Sequence, residues 1–358
     1  LGGGFHRYSV DRRWQIPHFE KMLYDNGQLA SVYAAAYRDT QRDEYRVVAE
    51  GICDFVLREL KAPGGGFYCA LDADSDGEEG KYYRWTDQEI STLVEDVDRF
   101  SLAVEVYRLA GKPNFEGEYH VPDPGTTLTV LANKRDQSFI KLHRELEPLR
   151  AAMFAARRQH ARPITDIKIL TAWNGLMIAG LADAGRLLGR PDYTDAAAAA
   201  ARFVLGHLRQ EDGRLLRSYA ANQAKLNAYV DDYAFLSSGL IALHRATEDP
   251  SWLELAAEVT DQQIERFWDE TDGGFFFTST DHPALIVRVK DPADGAIPSG
   301  TAVSLENLHY LTQAMGDDDY QARFQQTLQS IAPLMQRVPS ATARSAAMLA
   351  AWLDRQAE

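Results

Sequence analysis

The chain has 358 residues, of which 45% are hydrophobic and 25% charged, and its formal net charge is −14. Such a length suits one large domain or two ordinary ones, and such a composition excludes a disordered chain. The acidic balance argues against a nucleic-acid partner, which would need an excess of Lys and Arg, and no apolar run reaches the ~18 residues of a membrane span.

Two cysteines, Cys53 and Cys69, stand far apart with no C-x-x-C spacing. They read as small buried hydrophobes in a reducing, cytoplasmic setting, so neither a metal nor a cofactor is expected.

The chain opens on GGGFHRYS at 2–9, a glycine run followed by aromatic residues. A helix rich in small residues is predicted over 19–38, then a polar turn (T-Q-R-D-E) and an amphipathic helix over 43–61. A second glycine-aromatic connector, GGGFYCAL at 64–71, runs into the acidic stretch DADSDGEEG. One helical pair is predicted over about 87–110 and 136–160. The alternation then repeats: a small-residue helix at 168–188 and an amphipathic one at 192–210; the connector DGRLLRSY at 212–219; helices at 230–246 and 250–269; the connector DGGFFFTS at 272–279; helices at 299–315 and 318–337; and a trailing helix at 341–355.

Helices lined with Ala, Gly and Ser pack closely on several sides and so form an inner ring. The amphipathic helices surround them. All inner helices then run parallel, with their polar openings and free backbone N–H groups at one end. The expected fold is all-α: an (α/α)6 barrel, or six-hairpin toroid, with short β-ribbons at the pocket end, residues 1–358 forming a single domain. An open helical solenoid is the weaker alternative, because the polar openings recur at one end. Five hairpins are counted, so a further segment is expected upstream of the LGGGF opening, whether another domain or the first hairpin of the barrel.

The pocket end collects carboxylates and aromatics. Asp25, Asp231, Asp232 and His18 are candidate acid–base residues, and Trp14, Asp72, Asp74, Trp173, Asn174, Tyr233, Arg288, Lys290 and Ser299 are candidate ligand contacts. Sugar hydroxyls need bidentate acceptors, a sugar's apolar face stacks on aromatic rings, and paired carboxylates serve as acid and base. A bland reading stands beside each. Asp231 and Asp232 sit where a helix cap belongs, Asp25 lies inside a helix and needs a cation if buried, and Trp173 and Asn174 can be packing residues. D-A-D-S-D-G matches the first half of a calcium loop, but its twelfth position is Tyr83 rather than Glu, which favours an acidic ribbon.

Four stretches carry a resemblance: GGGFHRYSVDRRWQIPHFEKMLYDN, ALDADSDGEEGKYYRWT, KILTAWNGLMIAGLADAGR, and VDDYAFLSSGLIAL with VKDPADGAIPSG. Together they resemble the barrel part of the thioredoxin-domain-containing family that includes spermatogenesis-associated protein 20. The resemblance implies a thioredoxin-like domain followed by a toroid similar to N-acylglucosamine 2-epimerases and six-hairpin glycosidases. The implied ligand is a sugar or sugar-like small molecule, and the implied partner is the thioredoxin-like domain of the parent chain. Ile167 stands where relatives carry a second acid, and Thr301 stands where they carry Asn. The functional expectation is a sugar hydrolase or epimerase. A non-enzymatic binding module is the alternative.

Overall fold

A computed structural model describes residues 1–93, 97–124, 126–283 and 286–356. In chain order, strands β1 (Tyr8–Ser9), β2 (Pro17–His18) and β3 (Lys21–Met22) precede helices α1 (Leu23–Thr40) and α2 (Asp43–Glu59). Strands β4 (Ala70–Leu71), β5 (Asp74–Ser75) and β6 (Glu78–Glu79) follow. Next come α3 (Asp87–Thr92), α4 (Val97–Tyr107), α5 (Leu128–Lys134), α6 (Phe139–Glu145) and α7 (Glu147–Arg157). After β7 (Thr165–Asp166) and β8 (Ile169–Leu170) stand α8 (Thr171–Leu188) and α9 (Pro191–His207). Strands β9 (Leu216–Ala220) and β10 (Gln223–Asn227) lead to α10 (Val230–Thr247) and α11 (Pro250–Phe267). The chain ends with α12 (Gly300–Met315), α13 (Asp318–Arg337) and α14 (Ala343–Gln356).

The described residues form two compact units. One holds 1–22, 32–60 and 70–166; the other holds 23–31, 61–69 and 167 onward.

In the second unit the small-residue helices pack backbone to backbone. Gly27 lies against Leu176 and Met177, where an added Cβ would come within 2.9 Å of main-chain atoms. Further along, Ser31 donates to Asp183 at 2.9 Å. Gly175 lies against the Phe235 backbone and Gly239 against Ile178. Gly300 lies against Val230 and Asp231, and Asn307 donates to the Ala234 carbonyl at 2.8 Å. In every pair the residue numbers rise together on both helices. The opening of α1, then α8, α10 and α12, therefore run parallel and side by side in that order. Any side chain at Gly175 would drive into the α10 backbone, a strain of the kind that costs about 1–3 kcal/mol.

The amphipathic helices cover this row. Ser237 of α10 bonds Thr260 of α11 at 2.8 Å, and Gln263 of α11 donates to Ser304 of α12 at 2.6 Å. α1, α8, α10 and α12 each close on a left-handed residue: Gln41, Gly189, Glu248 and Gly316. That shared cap lets a tight turn feed the next helix. α9 and α11 both open on a proline, whose fixed φ suits the first helical position.

The first unit departs most from expectation. Its predicted pair of long helices is a set of short ones, α3 to α7. The Thr127 side chain accepts from Val130 and starts α5 inside the expected connector, while the predicted 136–160 helix starts at Ser138 and divides at Leu146 into α6 and α7. Thr86 and Glu89 form a reciprocal capping box at the start of α3. Two inner helices also begin later than predicted, because Lys21–Met22 and Ile169–Leu170 pair as strands before α1 and α8.

Candidate functional site

The openings of α1, α8, α10 and α12 bring Asp25, Trp173, Asp231 and Asp232 to the same end of a row of parallel helices. Asp25 is the third residue of α1, Trp173 the third of α8, and Asp231 and Asp232 the second and third of α10. Trp173 is half-buried, and its ring meets Tyr24 edge to face at 4.8 Å. Asp25 is also half-buried.

The two adjacent acids have different work. Asp232 is fully buried. Its Oδ1 accepts from the Ala172 N–H at 2.9 Å, its Oδ2 accepts from the Tyr229 N–H at 2.9 Å, and Arg217 approaches Oδ2 at 3.4 Å. It therefore caps α10 and ties that helix to the opening of α8, and both of its oxygens are occupied. Burial pushes its pKa up, while Arg217 and the two N–H groups pull it down.

Asp231 keeps partial access to solvent. Its Oδ1 sits against Gly300, where any side chain would collide with it. Burial, then the neighbouring Asp232 charge, raises its pKa to about 7, against the pull of the Gly300 N–H and Arg217. A carboxylic acid still protonated near neutrality can donate a proton to a substrate.

Most of the expected ligand contacts in this unit have hydrogen-bond partners within the protein. Asn174 is buried; its Oδ1 accepts from the Phe67 N–H at 2.8 Å, and its Nδ2 donates to the carbonyls of Phe67 and Leu170. It pins the glycine-aromatic connector to α8. Tyr233 is buried against Phe267, and its hydroxyl accepts from the Leu215 N–H at 2.9 Å. Ser299 caps α12 by accepting from Ala302. Arg288 donates to the carbonyls of Thr278 and Arg266 and lies over the Phe276 ring. Lys290 pairs with Asp269 at 2.6 Å and donates to the Gly273 carbonyl. These five hold connectors in place, because each buried polar terminus is met by backbone or by an opposite charge.

Four candidates belong to the other unit. Trp14 is 82% exposed at the tip of the β1–β2 turn, which Asp11 folds by accepting the N–H groups of Arg13, Gln15 and Ile16. His18 stacks on Tyr8 and lies 3.5 Å from Glu20. Asp72 and Asp74 are exposed beside the β5–β6 ribbon, with Asp72 accepting from the Asp74 N–H. His6 is engaged with the Phe19 carbonyl at 2.9 Å.

Sequence reasoning missed two groups beside the acids. Arg217 reaches Asp232 and lies over the Tyr229 ring at 4.8 Å. Tyr229 in turn stacks on Phe277 and leans on His282, each at 4.9 Å. His282 accepts the Ser279 N–H on Nδ1 at 3.2 Å, and burial lowers its pKa, so it is a neutral clamp in its connector. The recurring connectors pointed to this end of the fold; the strand pairing that aims Arg217 left no local signal.

Comparisons with known proteins bear on this geometry. No family model matches the chain. Mouse spermatogenesis-associated protein 20 is 36% identical over 378 residues, covering 95% of this chain and 47% of its own length. The human protein of that name is 34% identical, with 95% and 48% covered. The chain belongs with the spermatogenesis-associated protein 20 homologues. It spans about half the length of these curated relatives.

Among solved structures, a sugar epimerase from a ruminal bacterium aligns with a TM-score of 0.57 at 12% identity, over 94% of this chain and 66% of that one. The cellobiose 2-epimerase of Bacillus thermoamylovorans aligns with a TM-score of 0.56 at 11% identity, over 92% and 65%. This homologue of spermatogenesis-associated protein 20 thus has the (α/α)6 toroid fold of those proteins. No helix among the described residues is long and apolar enough to cross a membrane.

Proposed function

We propose that this toroid processes a sugar or sugar-like ligand as a glycoside hydrolase, with Asp231 as the general acid. The observation that carries the reading is the division of labour at the opening of α10. Asp232 is consumed as a buried cap, whereas Asp231 stays partly open with a pKa near 7. In this mechanism Asp231 gives its proton to the glycosidic oxygen as the bond to the anomeric carbon breaks. Asp25, at the opening of α1 in the same row of helices, acts as the base that takes a proton from the attacking water. Trp173 offers its half-exposed ring to the apolar face of the sugar.

An epimerase would need a base beside a sugar carbonyl. Of the histidines, His18, the base the sequence suggests, lies on Tyr8 beside Glu20, while His6 and His282 are held by backbone groups, and hydrolysis is the reading we prefer. Because the chain spans about half of its relatives, the activity of a whole protein is a further step. We infer from the family resemblance that the toroid works beside a thioredoxin-like domain of the parent chain, in the cytoplasm.

The test is turnover of a panel of aryl glycosides by the full chain. Asp231→Asn is expected to lower kcat by about 100-fold or more while the unfolding midpoint holds or rises. Wild-type kcat is expected to fall as the pH rises through about 7, when the acid loses its proton. Turnover that survives Asp231→Asn unchanged would sink the assignment.

A further inference from the structure

Arg217 is the cation nearest the two acids, yet it is only partly used. One nitrogen, Nη1, reaches Asp232 Oδ2, and at 3.4 Å that contact is long for a charged pair. Among the described residues Nε and Nη2 donate to no protein atom, and a third of the side chain is exposed. The cations of the neighbouring connectors are better satisfied: Arg214 meets Asp281 at 2.9 Å, Lys290 meets Asp269 at 2.6 Å, and Arg288 donates to two carbonyls. Arg217 is also held still. Its guanidinium lies over Tyr229, which is packed between Phe277 and His282, and its strand is paired on both sides by β8 and β10.

A planar, immobilised guanidinium with unused donors, set beside a partly open acid, is a fork waiting for a two-oxygen partner. We propose that Arg217 binds a carboxylate on the substrate, so that the sugar processed at this site is a uronic acid or a glycoside of one. The inference rests on the reading of Asp231 as the acid of a sugar site. A neutral sugar has hydroxyls for Asp25 and a ring face for Trp173 but nothing that matches a charged fork.

The arrangement also serves the chemistry. A substrate carboxylate drawn to Arg217 brings negative charge near Asp231, which favours the protonated form of that acid. It also competes for the cation with Asp232, whose two N–H donors still satisfy it. Arg217 is then a binding residue, and its loss should appear mainly in KM.

Isothermal titration on the full chain tests this with glucuronate and galacturonate, their methyl esters, and glucose and galactose. At least one uronate is expected to bind, with its methyl ester and its neutral parent sugar at least tenfold weaker. Arg217→Gln is expected to erase that preference, and Arg217→Lys to restore part of it. The acid-against-ester comparison uses wild-type protein alone, so it decides the matter even if Arg217→Gln fails to fold. Esters or neutral sugars binding as tightly as the acids would overturn the proposal, as would a preference that survives folded Arg217→Gln, or no binding by either class. Asp231→Asn separates the two readings. Uronate binding that persists in Asp231→Asn supports the Arg217 assignment whether or not the wild type turns over, and absence of turnover in the wild type counts only against the hydrolase.

Discussion

Two acidic stretches of this chain look alike in sequence and behave in opposite ways. Residues 72–79 hold five acids, and the opening of α10 holds two. In the ribbon formed by β5 and β6 the acids are exposed, and Asp76 and Glu78 are met by cations. Lys81 reaches Asp76 and Glu78 at 2.8 Å each, and Arg84 adds a second contact to Glu78. Hydrogen bonds from Lys81 and then Arg84 lower the Glu78 pKa. At the opening of α10 Asp232 is fully buried and Asp231 partly so, beside one loosely bound arginine, and burial raises the pKa of both. The number of carboxylates therefore says little about chemistry. Withdrawal from water decides which of them holds a proton at neutral pH.

The largest expected effect that would sharpen this contrast comes from Asp232→Ala. It strips the acceptor from two backbone N–H groups at the start of α8 and α10 and leaves Arg217 without its carboxylate. A loss of about 3 kcal/mol is expected in chemical denaturation, as for other buried donors left unmet. Asp232→Asn should also cost more than ~1 kcal/mol, since an amide presents N–H where one of the two acceptors is needed. A neutral result in both variants would break the claim that Asp232 is structural.

The next effect is a pH dependence of opposite sign to that of an ordinary paired carboxylate. Asp231 keeps its proton to about pH 7 when folded and loses it near pH 4 when unfolded. Between those values the folded chain binds more protons, so its stability falls as pH rises across that window. Asp231→Asn should flatten this slope and raise stability at pH 8 by about 2 kcal/mol, discounting the full shift for partial solvent access. Unfolding midpoints taken from pH 4 to pH 8 on both proteins check it, and parallel curves would refute it.

The smallest effect belongs to the ribbon. Asp76→Asn should change stability by no more than about 0.5 kcal/mol, because Asp76 is 68% exposed and its position at positive φ suits Asn. A larger change in thermal unfolding would mean that the ribbon's charges are structural after all.

Much of the fold was legible in the sequence. The small-residue helices are the ones whose glycines meet neighbouring backbones, and their polar openings do lie together at one end of a parallel row. The stretch from Asp87 to Arg157 was not legible, because Thr127 caps a new helix inside what reads as loop, and the continuous periodicity after Ser138 divides at Leu146. At the site, residue type and position pointed to the helix openings but could not rank the residues there.

Periodicity and glycine placement fix which helices pack together, since both act through neighbours a few residues away. They also determined that Asp25, Trp173, Asp231 and Asp232 would gather at one end of the helical row. Whether a given polar group there is satisfied depends on partners from distant segments. Asp232 is a cap because Ala172 and Tyr229 turn their N–H groups to it, and Asn174 is a clamp because Phe67 meets it across 107 residues. Arg217 stands beside the acids because β9 is held between β8 and β10. Burial and long-range hydrogen bonding set these roles, and only the tertiary structure supplies them.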